Sequence, residues 1–315
     1  MTRFLGRLAD PRTLPIVVTI LLFVALFGFG SVMYAGFFSM QVLTGLLVDN
    51  AFLLIVAIGM TFVIVSGGID LSVGSVMALS GTLAAGLMVA GVNAVAALAI
   101  GIAVGLGFGF LSGLFVAFAG MPPIIVTLAT MGIARGLALI YTGGYPIDGL
   151  PDWVAFFGSG KVFGIQAPVL IMLVVYAIAW LLLDRMPFGR YVYAIGGNEQ
   201  ATRLTGVRVA RVKLIVYTLA GLTSALAAIV LTGRLMSGQP NAGVGFELDA
   251  IAAVVMGGTS ISGGRGAILG TLVGALLLGV LNNGLNMIGV NPYVQNVIKG
   301  GIILLAIYIS RERSR

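Results

Sequence analysis

The sequence predicts an all-α integral membrane protein with about ten transmembrane helices, some of them broken or re-entrant. Three observations carry that prediction. Of 315 residues, 59% are hydrophobic and only 9% are charged, whereas a soluble domain carries about 25% charged residues. Apolar runs close to the length of a bilayer crossing follow one another with short polar joints between them. The Lys and Arg residues behind the net charge of +7 gather in those joints and at the ends. Topology therefore accounts for the basic balance, and nucleic acid is not implied.

An N-terminal arm with Arg3, Arg7 and Arg12 leads into an apolar run over 14–34. The run exceeds a signal-peptide core and lacks a small-residue cleavage pattern, so it reads as the first membrane helix. With about 20 apolar residues per crossing, further spans fall near 43–65, 71–91, 94–118, 123–142, 166–183, 212–232, 247–261, 266–288 and 292–310. The span at 247–261 is short and reads as broken. Charge checks this order. The N-terminal arm, the C-terminal RERSR and the segment 184–213 are all basic, and the last holds six of the chain's 17 Lys and Arg against Asp184 and Glu199. Placing all three in the cytoplasm requires an even number of helices in total and before 184–213; ten and six satisfy both. Residues 143–165, with Asp148, Asp152, Lys161, Tyr145 and Trp153, then form an external, partly re-entrant loop. Residues 1–315 read as one transmembrane domain.

The 47 glycines are ordered. Gly101, Gly105, Gly109 and Gly113 share one helical face, and Gly266, Gly270 and Gly274 repeat the spacing. Small-residue faces let helix backbones approach closely in lipid, so both series read as packing faces. An internal repeat is also expected: 67–82 and 257–272 match at an offset of 190 through Gly67/Gly257, Gly68/Gly258, Ser72/Ser262, Gly74/Gly264 and Leu79/Leu269.

The chain has no Cys and no His, which excludes disulfides, thiolate or imidazole metal sites and His-based acid–base catalysis. FFGSGKV at 156–162 has Ala155 and Val162 where a phosphate loop needs Gly and Ser or Thr, and no G-x-G-x-x-G occurs. The chain is not expected to hydrolyse ATP or to hold a cofactor. The densest polar motif in an apolar region is SGGIDLSVGS at 66–75. Its paired glycines break a helix, and Asp70 is either an anchor capping a helix from about Leu71 or a pathway residue. Ser72 and its repeat partner Ser262 join it as candidates for a helix break or pathway. Glu247 and Asp249 read as caps on the external end of the 247–261 span. Arg135 and Lys299, inside apolar spans, snorkel or pair with a carboxylate. Asn282, Asn283 and Asn286 either hydrogen-bond between helices or line a path for a hydroxylated solute.

Within 184–213, Asn198 is a good N-cap, Glu199 suits the positive end of a helix and Gly206 is a natural stop. Together they predict a helix over 199–205, with Gly197 ahead of it. Ala201, Leu204 and Thr205 fall on one small face and Arg203 on a flank. A helix this short is marginal alone and needs docking to persist.

Three stretches carry a resemblance: 49–81 (DNAFLLIVAIGMTFVIVSGGIDLSVGSVMALSG), 188–207 (FGRYVYAIGGNEQATRLTGV) and 246–285 (FELDAIAAVVMGGTSISGGRGAILGTLVGALLLGVLNNGL). They resemble the permease subunit of sugar ABC importers of the ribose, xylose, arabinose and galactoside type, most of all the galactofuranose-type permeases. The resemblance implies a non-enzymatic subunit in a bacterial cytoplasmic (inner) membrane, with both termini cytoplasmic. It also implies a second permease copy or paralogue, a cytosolic ABC ATPase that holds the ATP and Mg, and a periplasmic or lipid-tethered sugar-binding protein. Gly196–Gly206 matches the element that couples such a permease to its ATPase. The rival reading is a self-sufficient secondary carrier or facilitator of polar solutes; a third is a membrane scaffold.

Overall fold

A computed structural model describes residues 39–291 without interruption, together with 20–21, 23–25, 27–28, 31–32, 293–298 and 300–301. Most of the expected spans 14–34 and 292–310, the N-terminal arginines, the RERSR tail and Lys299 lie outside the described residues. The helices are α1 (Met40–Val65), α2 (Val73–Val89), α3 (Ala94–Ala117), α4 (Pro123–Thr142), α5 (Ala167–Trp180), α6 (Pro187–Gly197), α7 (Glu199–Leu204), α8 (Val209–Leu235), α9 (Phe246–Met256) and α10 (Ile268–Met287). A π-helical stretch, Leu181–Arg185, prolongs α5. Among the described residues, six helices are long and apolar enough to cross a membrane: α1, α3, α4, α5 with its extension, α8 and α10. α2 is shorter and α9 has only 11 residues, which agrees with a broken span there.

Local chemistry sets the ends. Ser39 Oγ accepts from Val42 N–H at 3.2 Å to start α1, and Asn93 Oδ1 accepts from Val95 and Ala96 N–H at 3.0 and 3.2 Å to start α3. α4 opens on Pro123, where the missing N–H costs nothing, and closes on Gly143 at φ 62°. α1 is the axis of the fold: every residue from Leu53 to Val65 is buried. α3 and α4 form an outer wall with Phe110, Leu111, Phe115, Ile124, Ile125 and Leu128 outward. A helix apolar on all sides is either in a core or in lipid, and these two expose their apolar sides.

The α3 glycines work as the spacing predicts. A Cβ added at Gly105 would lie 2.5 Å from Ala225 Cβ and 2.6 Å from Gly221 O; one at Gly113 would lie 3.0 Å from Leu214 Cα; one at Gly101 would lie 2.9 Å from Ser80 O. α3 thus meets α2 and α8 backbone to backbone. In the second series, Gly270 and Gly274 lie in α10 but Gly266 precedes the helix, where a Cβ would meet Thr259 and Val65.

Several boundaries differ from expectation by a few residues, most at α9, which ends at Met256 rather than 261. α2 starts at Val73 rather than Leu71 and α8 at Val209 rather than 212. More substantially, 184–213 is helical through most of its length. Two of its glycines, a residue that ordinarily weakens a helix, are close-approach points instead: a Cβ on Gly189 would overlap Leu183 O, and one on Gly196 would overlap Val65 O. Pro187 opens α6, whose Val192 and Ile195 are buried against Val65, Val209 and Ile268.

α8 relates the two faces. Its start lies beside α7, through an ion pair of Lys213 Nζ with Glu199. Its end lies beside the 143–166 segment, where Gly158 packs on Gly233 and Arg234. That segment holds a 3-10 turn (Asp152–Ala155), one α-turn (Phe156–Ser159) and a hairpin of β1 (Lys161–Val162) and β2 (Ile165–Gln166), with Lys161 opposite Gln166. An antiparallel bridge between Ile147 and Gly238, with N–H···O distances of 2.9 and 2.8 Å, ties it to the chain after α8. Asp49 and Arg234 form an ion pair near this face.

Candidate functional site

The first helix break follows α1. Gly67 N–H donates to Ile64 O and Gly68 N–H to Val63 O, both at 2.9 Å, with Gly67 at φ 83°. This is a Schellman cap, and only a residue without a Cβ adopts its left-handed position at no cost. Asp70, 2% exposed, then accepts from Ser72 N–H at 2.8 Å and from Ser72 Oγ at 2.6 Å. Asp70 is therefore an anchor but not the N-cap: Ser72 occupies the cap position, its side chain makes no cap bond, and α2 begins one residue later. We expect Asp70→Ala to leave a buried N–H without its acceptor and lower the unfolding free energy by about 1–3 kcal/mol. Asp70→Asn keeps an acceptor oxygen and should stay near wild type. Thermal midpoints in detergent check this, and an equal loss in both variants would assign Asp70 a charge-dependent role instead.

The second break follows α9. Gly258 N–H donates to Val255 O at 2.9 Å and Thr259 N–H to Val254 O at 3.2 Å, with Gly258 at φ 88°. The same cap closes both helices, but the equivalent residues are Gly67 and Gly258, an offset of 191. The offset of 190 read from residue identities pairs Gly67 with Gly257, which has an ordinary φ of −67° and occupies the position of Ser66. Ser262 accordingly does not mirror Ser72: it is exposed, and its Oγ pairs with Ser260 Oγ at 2.8 Å. The two breaks meet, since Gly264 N–H donates to Val65 O at 2.9 Å.

α7 sits on the same face. Asn198 Oδ1 accepts from Ala201 N–H at 2.9 Å, Gly206 takes φ 84°, and the helix runs Glu199–Leu204 with Thr205 as C-cap. Glu199 is held by Lys213 and, at 3.2 Å, by Arg203 Nη2. Burial raises its pKa, but the hydrogen bonds and charges of Lys213 and Arg203 outweigh that and leave the carboxyl below its ordinary value. Thr202 is buried, whereas Ala201, Arg203, Leu204 and Thr205 face outward and Leu204 is 89% exposed.

The asparagines lie elsewhere. Asn282 and Asn283 are half-buried and Asn286 is exposed, with Asn286 Oδ1 accepting from Gln295 Nε2 at 2.8 Å. They sit about 20 Å along α10 from its start, so they are not brought together with Asp70, Ser72 or Ser262. Asn282 Oδ1 is buried without a hydrogen-bond partner among the described residues. Arg135 is the functional-looking residue whose partners the sequence hides. Its Nη1 donates to Pro240 O and, at 2.8 Å, to Ala242 O. It thereby pins the turn-rich segment between α8 and α9 rather than snorkelling, with Glu247, in the first turn of α9, as an opposing charge. Lys213 was also missed, because it lies 14 residues from Glu199 and outside helical pair spacing.

Spanning helices, two broken ones whose ends meet, and a clamped surface helix at that meeting point define a multi-pass membrane transport subunit. Residues 42–307 match the family described as "Branched-chain amino acid transport system / permease component". A ribose import permease protein of Bacillus subtilis is 52% identical over 262 residues, covering 82% of this chain and 81% of its own. A D-allose transport system permease protein of Escherichia coli is 40% identical over 289 residues (91% and 88%). An L-arabinose transport system permease protein of the same species is 41% identical over 266 residues (82% and 79%). The chain belongs to this family of permease components. It is a non-catalytic membrane subunit of a transport system. No solved structure matches it.

Proposed function

We propose that this chain forms the translocation pathway of an ATP-driven sugar importer, as one permease domain over 1–315 in a bacterial cytoplasmic (inner) membrane with both termini cytoplasmic. The carrying observation is α7. A two-turn helix clamped by Glu199 and Lys213 presents an outward face of Ala201, Leu204 and Thr205 that nothing in the described chain covers. A cytosolic ABC ATPase is the partner that fits it, with Gly197, Asn198, Glu199, Arg203 and Gly206 shaping the platform and the ATP and Mg residing on the ATPase. A periplasmic or lipid-tethered binding protein delivers the sugar to the opposite face. The half-buried Asn282 and Asn283 lie on a membrane helix, and polar groups there face protein or water rather than lipid. A second permease copy or paralogue supplies that other wall, and lipid surrounds the rest.

The family description concerns branched-chain amino acids, but relatives 40–52% identical are named for ribose, D-allose and L-arabinose. A pentose such as ribose is therefore the first cargo to test, ahead of a galactofuranose. Proteoliposomes holding this chain with its ATPase and binding protein should accumulate labelled ribose or another aldose only with ATP inside. Uptake driven by an ion gradient with this chain alone would establish the secondary-carrier reading instead.

A further inference from the structure

Three backbone segments touch with no side chain between them. A Cβ on Gly196 would overlap Val65 O and lie 2.5 Å from Gly264 N. One on Gly263 would lie 2.9 Å from Gly67 Cα and 3.0 Å from Gly196 Cα, and one on Gly264 would lie 2.9 Å from Gly197 Cα. Gly264 N–H and Val65 O close the contact at 2.9 Å, and Tyr193 Oη donates to Gly266 O at 2.8 Å, fastening α6 to the second break again. On the other side, Asn198 is at once the C-cap of α6 and the N-cap of α7. A one-residue link leaves α7 no slack relative to Gly196 and Gly197.

We propose that this glycine junction is a mechanical relay that drives both helix breaks, at Val65–Ser72 and at Gly257–Ala267, with each displacement of α7. Backbone against backbone has no side-chain rotamers to absorb a push, and close-packed contacts transmit small shifts rather than damping them. Gly196 and Gly264 are positioning residues in this scheme, acting through the breaks and not on the solute. The inference rests on the reading of α7 as the ATPase platform.

In the assembled transporter, Gly196→Ala must push Val65 and Gly264 apart; where the variant still co-purifies the ATPase and hydrolyses ATP, sugar uptake per ATP should fall about tenfold, within the span of such coupling positions. Gly107→Ala, where a Cβ meets nothing within 4 Å, should keep the wild-type ratio. Normal uptake per ATP in Gly196→Ala would overturn the relay. Where that variant fails to assemble, amide exchange on the wild-type complex decides. Trapping the ATP-bound state should change exchange at 63–68 and 258–266 together with 199–206, and a change confined to 199–206 overturns the proposal. A wild-type chain that binds no ATPase at all would instead remove the function reading, and the relay with it.

Discussion

Gly221→Val should abolish the folded protein. A Cβ at Gly221 would overlap Gly105 O and lie 2.9 Å from Gly109 Cα and N. All three obstacles are backbone atoms, so no side chain can swing aside and the α3 and α8 axes must separate. Separation also opens Gly109 against the Tyr217 carbonyl and Gly105 against Ala225. Overpacking a core costs about 1–3 kcal/mol where side chains can adjust, and here they cannot. Helix association in lipid rests largely on such packing, with no hydrophobic term between helices to compensate. Gly132→Val, where a Cβ meets nothing within 4 Å, is the matched control. The expected result is loss of the monodisperse peak in detergent for Gly221→Val and its retention for Gly132→Val. A wild-type thermal midpoint for Gly221→Val would refute the close crossing of α3 and α8.

The parts of the fold that depend on local periodicity were legible. The spans follow from hydropathy, the α3 packing face from a four-residue glycine spacing, and α7 from a cap, an acid and a stop within nine residues, Asn198 to Gly206. What was not legible depends on partners distant in the chain. Glycine inside a helix leaves no pattern that tells a weak point from a close-approach site; only the position of Leu183 and Val65 reveals Gly189 and Gly196 as close-approach sites within α6. The repeat was found at the wrong offset for a related reason. Identities reward any aligned glycine, whereas the physical repeat is a left-handed backbone position, shared by Gly67 and Gly258. Arg135 binds carbonyls 105 and 107 residues away, and backbone acceptors leave no mark in a sequence. The sequence therefore carried the scaffold and the platform but not the junction that joins them.

Reversing the charge at residue 199 should detach the ATPase without disturbing membrane insertion. Glu199 is the only acid on α7 and faces two cations, Lys213 from α8 and Arg203 from its own helix. In Glu199→Lys both attractions become repulsions, and the N-terminal end of α7, which favours negative charge, gains a positive one. Six residues cannot hold a helix by themselves, so loss of the clamp leaves only the Asn198 cap and buried Thr202 to keep Leu204 presented. ATPase recovered with the permease should fall about tenfold or more, as for a central anchor at an interface, with membrane yield unchanged. Combining Glu199→Lys with Lys213→Glu restores one attraction and should recover much of the association. Failure of that double variant to improve on Glu199→Lys would show that residue 199 contacts the ATPase directly rather than through α7. The pH dependence separates these further. Because the carboxyl is held below its ordinary value of 4.5, its stabilising contribution is complete above that value and is lost as pH falls through the lowered one. Amide protection at Ala201 and Thr202 should thus be flat through neutral pH and decline only on acidification below the ordinary carboxylate range. Glu199→Gln should flatten that profile at a lower protection, because the amide keeps a hydrogen bond to Lys213 but loses the charge that titrates.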